Sequence, residues 1–154
     1  MTRSSELPAS VRALLNGSNL EAKIGVVVQL AVSDDAGWAR VASISVGEVL
    51  AVSPNRLLLT LYTGSRTAAE LGTRGRGLLL LVDGGGIVKI ELEVSRLGEG
   101  SGRTTFEGNV VGVERDEVPY ARVIHGIQFE LVSHEQQVLA RWREQLNGLR
   151  ELAS

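Results

Sequence analysis

The sequence contains no cysteine and very few aromatic residues among its 154 positions. Without cysteine, disulfide bonds and thiolate metal sites are excluded. Aromatic residues make up 4% of the chain and the formal net charge is -2, so it lacks the basic, aromatic-rich surface typical of nucleic-acid-binding proteins. No segment approaches the ~18 consecutive apolar residues that a membrane-spanning helix needs. We therefore expect a cytoplasmic protein that binds neither nucleic acid nor membrane.

Recognisable catalytic and metal-binding motifs are also missing. The sequence has two histidines, His125 and His134, and neither has a potential metal ligand at a suitable spacing; His134 is expected in solvent, in the first turn of a final helix. The Gly-x-Ser-x-Gly motif of serine hydrolases is absent. The segment "GTRGRG", residues 72–77, follows a helix and precedes a strand, the reverse of the dinucleotide-binding order. We therefore predict no metal site and assign no catalytic residue.

The residues that are present predict one mainly β domain spanning 1–154. A helix is expected near residues 6–16, a short helix from Ser65 to Gly72, and a C-terminal helix with a capping box of Ser133 and Gln136. Strand-like runs occupy residues 23–32, 38–46, 56–63, 77–82, 87–97, 103–115 and 126–132. These elements make a small barrel of about seven mostly antiparallel strands, with a short helix between strands and N- and C-terminal helices.

Hydrophobic periodicity predicts which side chains are buried. The run 87–97 alternates most clearly, with Val88, Ile90, Leu92 and Val94 on the inner face. In the run 38–46 one face carries Trp38, Arg40, Ala42, Ile44 and Val46, and the other carries Ala39, Val41, Ser43 and Ser45. The stripe of the final helix consists of Val138, Leu139, Trp142, Leu146 and Leu149. We expect the inner face of 87–97 and the stripe with Trp142 also to offer apolar surface to a second copy.

The segment "YTGSRTAAEL", residues 62–71, places a cation where helices normally prefer an acid. Ser65 suits the N-cap, and Arg66 and Thr67 follow in the first turn, where free backbone N–H groups carry partial positive charge. Gly64 lets the backbone bend and approach a ligand closely. Hydroxyl, amide and guanidinium donors together suit an anion, and phosphate fits best. The alternative is a capped connecting helix with a solvent-facing arginine, and the local sequence leaves both open.

Three segments together resemble the FMN-binding split-barrel superfamily of pyridoxamine 5'-phosphate oxidase-like proteins: "RVASISVG", "RLLLTLYTGSRTAAEL" and "RGLLLLV", within residues 40–82. The resemblance implies a split β-barrel that binds FMN. It implies that Arg40, Ser65 and Arg66 hold the phosphate and that the backbone of Val41, Ala42 and Ser43 follows the flavin ring. It also implies that Tyr62 and Thr63 contact the ring or ribityl chain. A homodimer with the flavin at its interface would complete the site.

Two positions depart from the family pattern. Thr67 replaces a lysine of the phosphate site and keeps a hydroxyl donor there, while Gly86-Ile87 stands where vitamin B6 oxidases carry Arg-Gln. The resemblance therefore implies a flavin-dependent oxidoreductase or reductase for a small molecule, and points away from vitamin B6. One alternative is a deazaflavin-dependent reductase, with Arg74 and Arg76 as the basic channel for an acidic tail. Another is a non-enzymatic split-barrel module that has lost productive flavin binding.

Overall fold

The computed structural model describes residues 3–154. Eight strands are formed: β1 Arg3–Ser4, β2 Val28–Ser33, β3 Ala39–Ile44, β4 Val49–Ser53, β5 Arg56–Tyr62, β6 Arg76–Asp83, β7 Gly86–Gly100 and β8 Arg103–Asp116. Three α-helices accompany them: α1 Ala9–Leu14, α2 Arg66–Arg74 and α3 Glu135–Ala153. A 3-10 helix covers Leu20–Lys23. The predicted class, mainly β with helices at both ends and one between strands, is confirmed.

The strands form one antiparallel sheet in the order β3-β2-β6-β7-β8-β5-β4, and the short β1 pairs with the end of β8. Strands β3 and β4 are therefore the two edges. The β7–β8 hairpin is the longest pairing, and its register shifts between Glu91 and Leu92 and again between Arg96 and Gly98. Such bulges bend a strand and increase its local twist. The bent hairpin connects the β2–β6 half of the sheet to the β4–β5 half, as a split barrel requires.

The predicted buried faces are confirmed in their pattern. Val88, Ile90 and Leu92 of β7 are buried, and Val94 is half-buried. On α3 the buried residues are Leu139, Trp142, Leu146 and Leu149, and Trp142 packs edge-on against Phe129 with ring centroids 6.4 Å apart. The expectation that these faces offer surface to a second copy is wrong, because they are used in the core of the protomer. Exposed large apolar side chains lie elsewhere, at Trp38, Val41, Tyr62, Leu97, Val111, Val118, Tyr120, Ile124, Ile127, Val132 and Leu152.

Several strand assignments differ from the prediction. The run 126–132 is irregular: Gln128 forms one isolated bridge with Val26, and Phe129 N–H donates to Gly25 O at 3.1 Å. Phe129 of this run packs on Trp142, and the run does not extend the sheet. Conversely, β4 is a strand that the sequence pattern did not indicate, because pairing with β5 rather than alternation determines it. The predicted strand at 23–32 begins only at Val28.

The helix boundaries also differ. Helix α1 is shorter than the predicted 6–16, and Pro8 is its N-cap. Helix α2 continues through Gly72 and ends at Gly75, whose φ of 69° is the left-handed conformation that glycine adopts without strain. Helix α3 begins after His134, which is exposed and makes no side-chain cap bond, so the predicted capping box of Ser133 and Gln136 is wrong. Among residues 3–154 no helix is long and apolar enough to cross a bilayer.

Candidate functional site

The N-terminus of α2 has the predicted construction. The hydroxyl oxygen of Ser65 accepts the backbone N–H of Ala68 at 3.1 Å, which makes Ser65 the N-cap and leaves its O–H free to donate. The first turn contains no acidic residue. Arg66 begins the helix with a side chain 60% exposed, and Thr67 is half-buried beside it. This end of the helix therefore presents donors and positive charge to solvent.

A buried carboxylate lies next to this helix end. Asp34, in the turn between β2 and β3, has a side chain only 1% exposed. Its Oδ1 accepts the backbone N–H groups of Ala36 at 3.0 Å and Trp38 at 2.9 Å. The hydrogen bond from Trp38 is the main reason that the pKa of Asp34 lies below its ordinary value. Bonds from Arg40 and Ala36 lower the pKa further, against the opposing effect of burial. Asp34 is thus an anion fixed in place at neutral pH.

Two of the predicted phosphate ligands meet at Asp34. The Nε–H of Arg40 donates to Oδ2 at 2.9 Å, and a terminal nitrogen of Arg66 lies 3.6 Å from the same oxygen. The first contact is a charge-assisted hydrogen bond, whereas the second is an ion pair without hydrogen-bond geometry. Helix α2 packs against β2 and β3, which brings the two arginines together although they are distant in sequence. Arg40 and Arg66 therefore meet at one carboxylate, and Ser65 directly precedes Arg66 as the N-cap of α2.

Asp34 also corrects the reading of Arg66 as a cation without an anionic partner in the protein. The aspartate was missed because "SDDAG" has the composition of a solvated hairpin turn. A signal was available: an aspartate two residues before a free turn amide commonly accepts that N–H. The pattern does not reveal which of Asp34 and Asp35 points inward; in the structure Asp34 is buried and Asp35 is exposed.

Tyr62 and Thr63 are tied to the β7–β8 hairpin. The guanidinium of Arg103 lies over the Tyr62 ring, 4.5 Å from its centroid, and 62% of Tyr62 remains exposed. The Thr63 hydroxyl accepts a hydrogen bond from Thr104 at 3.0 Å, and Thr63 N–H donates to Gly102 O at 3.0 Å. Thr63 borders a cavity of about 260 Å³ between α2 and the hairpin. Both residues thus have fixed positions directly before the helix start.

Val41, Ala42 and Ser43 lie on the edge strand β3, where Val41 and Ser43 are exposed and Ala42 is half-buried. Among residues 3–154 the β-ladder partner of β3 is β2, which leaves one side of its backbone available to a ligand. Gly64 also faces open space, because a Cβ built there would meet no atom within 4 Å. The α2 start therefore has room in front of it, next to an open strand edge.

The donor set fits a phosphate monoester. Arg40 uses only Nε for Asp34, so its two terminal NH2 groups have no hydrogen-bond acceptor among the described residues. Arg66 and Ser65 stand at the start of α2, Arg40 shares Asp34 with Arg66, and two arginines with one aspartate leave a surplus of one positive charge. Such an arrangement can bind and orient an anion. In the described part of the chain no cluster of side chains could hold a metal ion.

Comparison with known proteins yields no matching family model. The uncharacterised YclD protein of Bacillus subtilis (strain 168) is 29% identical over 141 residues, which cover 89% of this chain and 91% of YclD. This relative shares most of its length with the chain, and its name states no activity.

Three solved structures share the fold. A presumed pyridoxamine 5'-phosphate oxidase from Lactobacillus delbrueckii superimposes with a TM-score of 0.58 at 16% identity, covering 74% of this chain and 99% of that one. An FMN-binding protein from Syntrophomonas wolfei superimposes with a TM-score of 0.52 at 16% sequence identity, covering 70% of this chain and 88% of that one. An F420 reductase superimposes with a TM-score of 0.51 at 11% sequence identity, covering 70% of this chain and 98% of that one.

The fold of the chain is thus the split β-barrel of pyridoxamine 5'-phosphate oxidase-like proteins. The resemblance noted in residues 40–82 is confirmed at this level. Because the identities are low, the shared fold leaves the ligand to be argued from the residues of the site.

Proposed function

We propose that the chain binds FMN at the start of α2 and acts as a flavin-dependent oxidoreductase on a small molecule. The observation that carries the proposal is that Arg40 and Arg66 share the carboxylate of Asp34, while Arg66 begins α2 directly after its N-cap Ser65. A helix start with an arginine, no acid and a second arginine from an adjacent strand is suited to a phosphate. The fold shared with an FMN-binding protein supports the same ligand.

In this proposal each predicted residue has a distinct role. The terminal NH2 groups of Arg40, the guanidinium of Arg66 and the Ser65 O–H donate to the phosphate, and Thr67 adds a hydroxyl. The open backbone edge at Val41, Ala42 and Ser43 offers N–H and C=O groups to the ring, and Tyr62 and Thr63 border the ring or ribityl chain. When bound, the flavin supplies the hydride chemistry. The protein orients it, and the site shows no dedicated acid or base.

A second copy of the chain completes the site in this proposal. The edge strand β3 and the exposed Trp38 and Val41 leave one side of the cluster uncovered by residues 3–154. A flavin ring placed there needs a second wall that excludes water. A homodimer with two equivalent sites at its interface supplies that wall.

The alternatives have less support. For a deazaflavin with a long acidic tail, the candidate cations were Arg74 and Arg76, but Arg74 already pairs with Glu70 at 3.4 Å. One specific observation favours a module without flavin: Asp34 already gives Arg66 an internal anion. However, that pair is 3.6 Å long and Arg66 is largely exposed, so a stronger anion can compete for its donors.

The visible absorption spectrum of the purified protein tests these three functions. A flavin spectrum, or tight binding when FMN is added, supports the proposal, and a spectrum shifted to shorter wavelength supports the deazaflavin. A colourless protein that ignores both ligands supports the module without flavin. Titration with riboflavin is the matched control. FMN should bind at least roughly tenfold more tightly, because the donors of the site address the phosphate; equal affinities would refute the phosphate site.

A further inference from the structure

We propose that Asp34 is a positioning residue of the phosphate site, which holds the guanidinium of Arg40 so that its two terminal NH2 groups face the bound anion. The inference rests on the proposed FMN phosphate site and adds a residue that is not itself a ligand. Asp34 accepts Arg40 Nε–H at 2.9 Å, which restricts the orientation of the guanidinium and leaves its two terminal NH2 groups available to an anion.

The construction of the turn supports this role. Asp34 Oδ1 is bound by two backbone N–H groups, of Ala36 and Trp38, and this fixes the direction of Oδ2. The side chain is almost fully buried, so the carboxylate cannot rotate toward solvent when a ligand arrives. An arginine side chain has many rotamers, and holding it in one of them before binding reduces the entropy that binding must cost.

The same carboxylate could instead weaken binding, because a negative charge near a phosphate repels it. Four positive or partly positive groups already surround Asp34: the N–H groups of Ala36 and Trp38 and the guanidinium groups of Arg40 and Arg66. The repulsion is therefore largely compensated within the turn. We infer that orientation of Arg40 outweighs it, and the two effects predict opposite changes in affinity.

Asp34→Asn separates the turn from the arginine. The asparagine oxygen can still accept the N–H groups of Ala36 and Trp38, whereas its NH2 group is a donor and cannot accept Arg40 Nε–H. The matched control is Asp35→Asn, which removes an equal charge from the neighbouring, exposed position of the same turn. Arg40→Met removes the group through which Asp34 acts and keeps an unbranched side chain.

The experiment is a double-mutant cycle on the FMN dissociation constant, followed by quenching of flavin fluorescence. We expect Asp34→Asn to weaken binding roughly tenfold in the wild-type background. In the Arg40→Met background the same change should alter binding by less than about twofold, and Asp35→Asn should do the same in wild type. Tighter binding by Asp34→Asn, an equal loss in both backgrounds, or an equal loss with Asp35→Asn would overturn the positioning role.

A second readout needs no flavin. The Arg40 Nε proton, followed by NMR, should exchange with solvent several-fold faster in Asp34→Asn than in wild type or Asp35→Asn. If wild-type protein does not bind FMN, the proposed function fails, and this measurement then decides only whether Asp34 holds the guanidinium of Arg40. Unchanged exchange in Asp34→Asn overturns the holding of Arg40 by Asp34, and faster exchange with an intact fold, checked by circular dichroism, supports it.

Discussion

Substitution of Arg66 distinguishes a ligand-binding role from a structural one. Its partner in the protein, Asp34, is weakly bound, whereas the phosphate of the proposed ligand would be a strong partner. We expect Arg66→Ala to change the stability of the ligand-free protein by less than about 1 kcal/mol, as is usual for an exposed ion pair. FMN affinity should fall roughly ten- to a hundredfold, because a charge-assisted hydrogen bond worth about 1.5–3 kcal/mol is lost. Thermal unfolding with and without FMN measures both effects.

The matched control for this prediction is Arg74→Ala, at the other end of the same helix. Arg74 is also exposed and also pairs with one carboxylate, that of Glu70. This variant should retain the FMN-induced stabilisation in full. A large loss of ligand-free stability in Arg66→Ala, with an unchanged FMN-induced shift, would make Arg66 a structural residue.

Asp34 makes a prediction about acid stability. Its pKa is lowered in the folded state, so the native protein binds fewer protons at this group than the unfolded chain. The carboxylate therefore stabilises the fold above the unfolded pKa of about 3.9, and this contribution is lost as the pH falls through the lower folded value. Wild type should exceed Asp34→Asn in stability at pH 7, and the gap should close below about pH 4.

Chemical denaturation of both proteins across pH 2–7 measures this gap. Asp35→Asn is again the control, because Asp35 is exposed in the same turn. A constant difference between wild type and Asp34→Asn at all pH values would mean that the folded state does not depend on the charge of Asp34.

At the scale of elements, the sequence predicted features that depend on neighbouring residues. The start of α2 is one, because Ser65 and the absence of an acid in the following turn are both visible in "TGSRTAAEL". The alternation of β7 is another, because a strand with one buried face must repeat every two residues. The sequence predicts the end of α2 three residues too early. Both Gly72 and Gly75 suit a helix end, and only the backbone conformation selects Gly75.

Features that depend on distant residues could not be predicted. Strand β4 is defined by its pairing with β5, and the run 126–132 is irregular and packs Phe129 on Trp142. Within the site, Arg40 and Arg66 were identified separately. Asp34, which contacts both, is brought to Arg66 by the packing of α2 against β2 and β3, which the local sequence does not show.

The docking of α3 onto the sheet gives a prediction at the element scale. Gly47 lies against Trp142. A Cβ built at Gly47 would clash with the indole ring of Trp142 and lie 2.6 Å from the Cβ of Trp142. Gln145 of the same helix donates to Gly47 O at 2.9 Å. Gly47→Ala should therefore destabilise the protein by about 1–3 kcal/mol, the usual cost of overpacking a core.

The control is a glycine on α3 itself. A Cβ at Gly148 would meet no atom within 4 Å, so Gly148→Ala should be neutral or stabilise by up to about 1 kcal/mol through helix propensity. Urea unfolding of both variants makes the comparison. If Gly47→Ala is as stable as wild type, α3 does not pack on the sheet through this contact.

At the scale of the molecule, exposed apolar side chains are concentrated in two places. Trp38 and Val41 lie at the β3 edge, and the segment 117–134 between β8 and α3 exposes Tyr120, Ile124 and Val132 by more than 80% each. The segment is bonded to the turn between β6 and β7, where Val123 N–H donates to Gly85 O at 2.9 Å. Large apolar groups on a fixed segment are typical of a protein–protein contact surface.

These surfaces lead to the prediction that the chain is a homodimer. A specific interface buries about 800 Å² per partner, and light scattering should give twice the mass of the chain at micromolar concentration.

Ile124→Glu should raise the dimer dissociation constant at least roughly tenfold, because burial of an unpaired carboxylate opposes association. Leu152→Glu, on the last turn of α3, introduces the same charge at a half-exposed apolar position and should leave the dimer intact. If the wild-type protein is a monomer at this concentration, the second wall of the flavin site is absent and the two-subunit site is refuted. If instead both glutamate variants dissociate the dimer equally, added charge rather than the 117–134 surface is responsible.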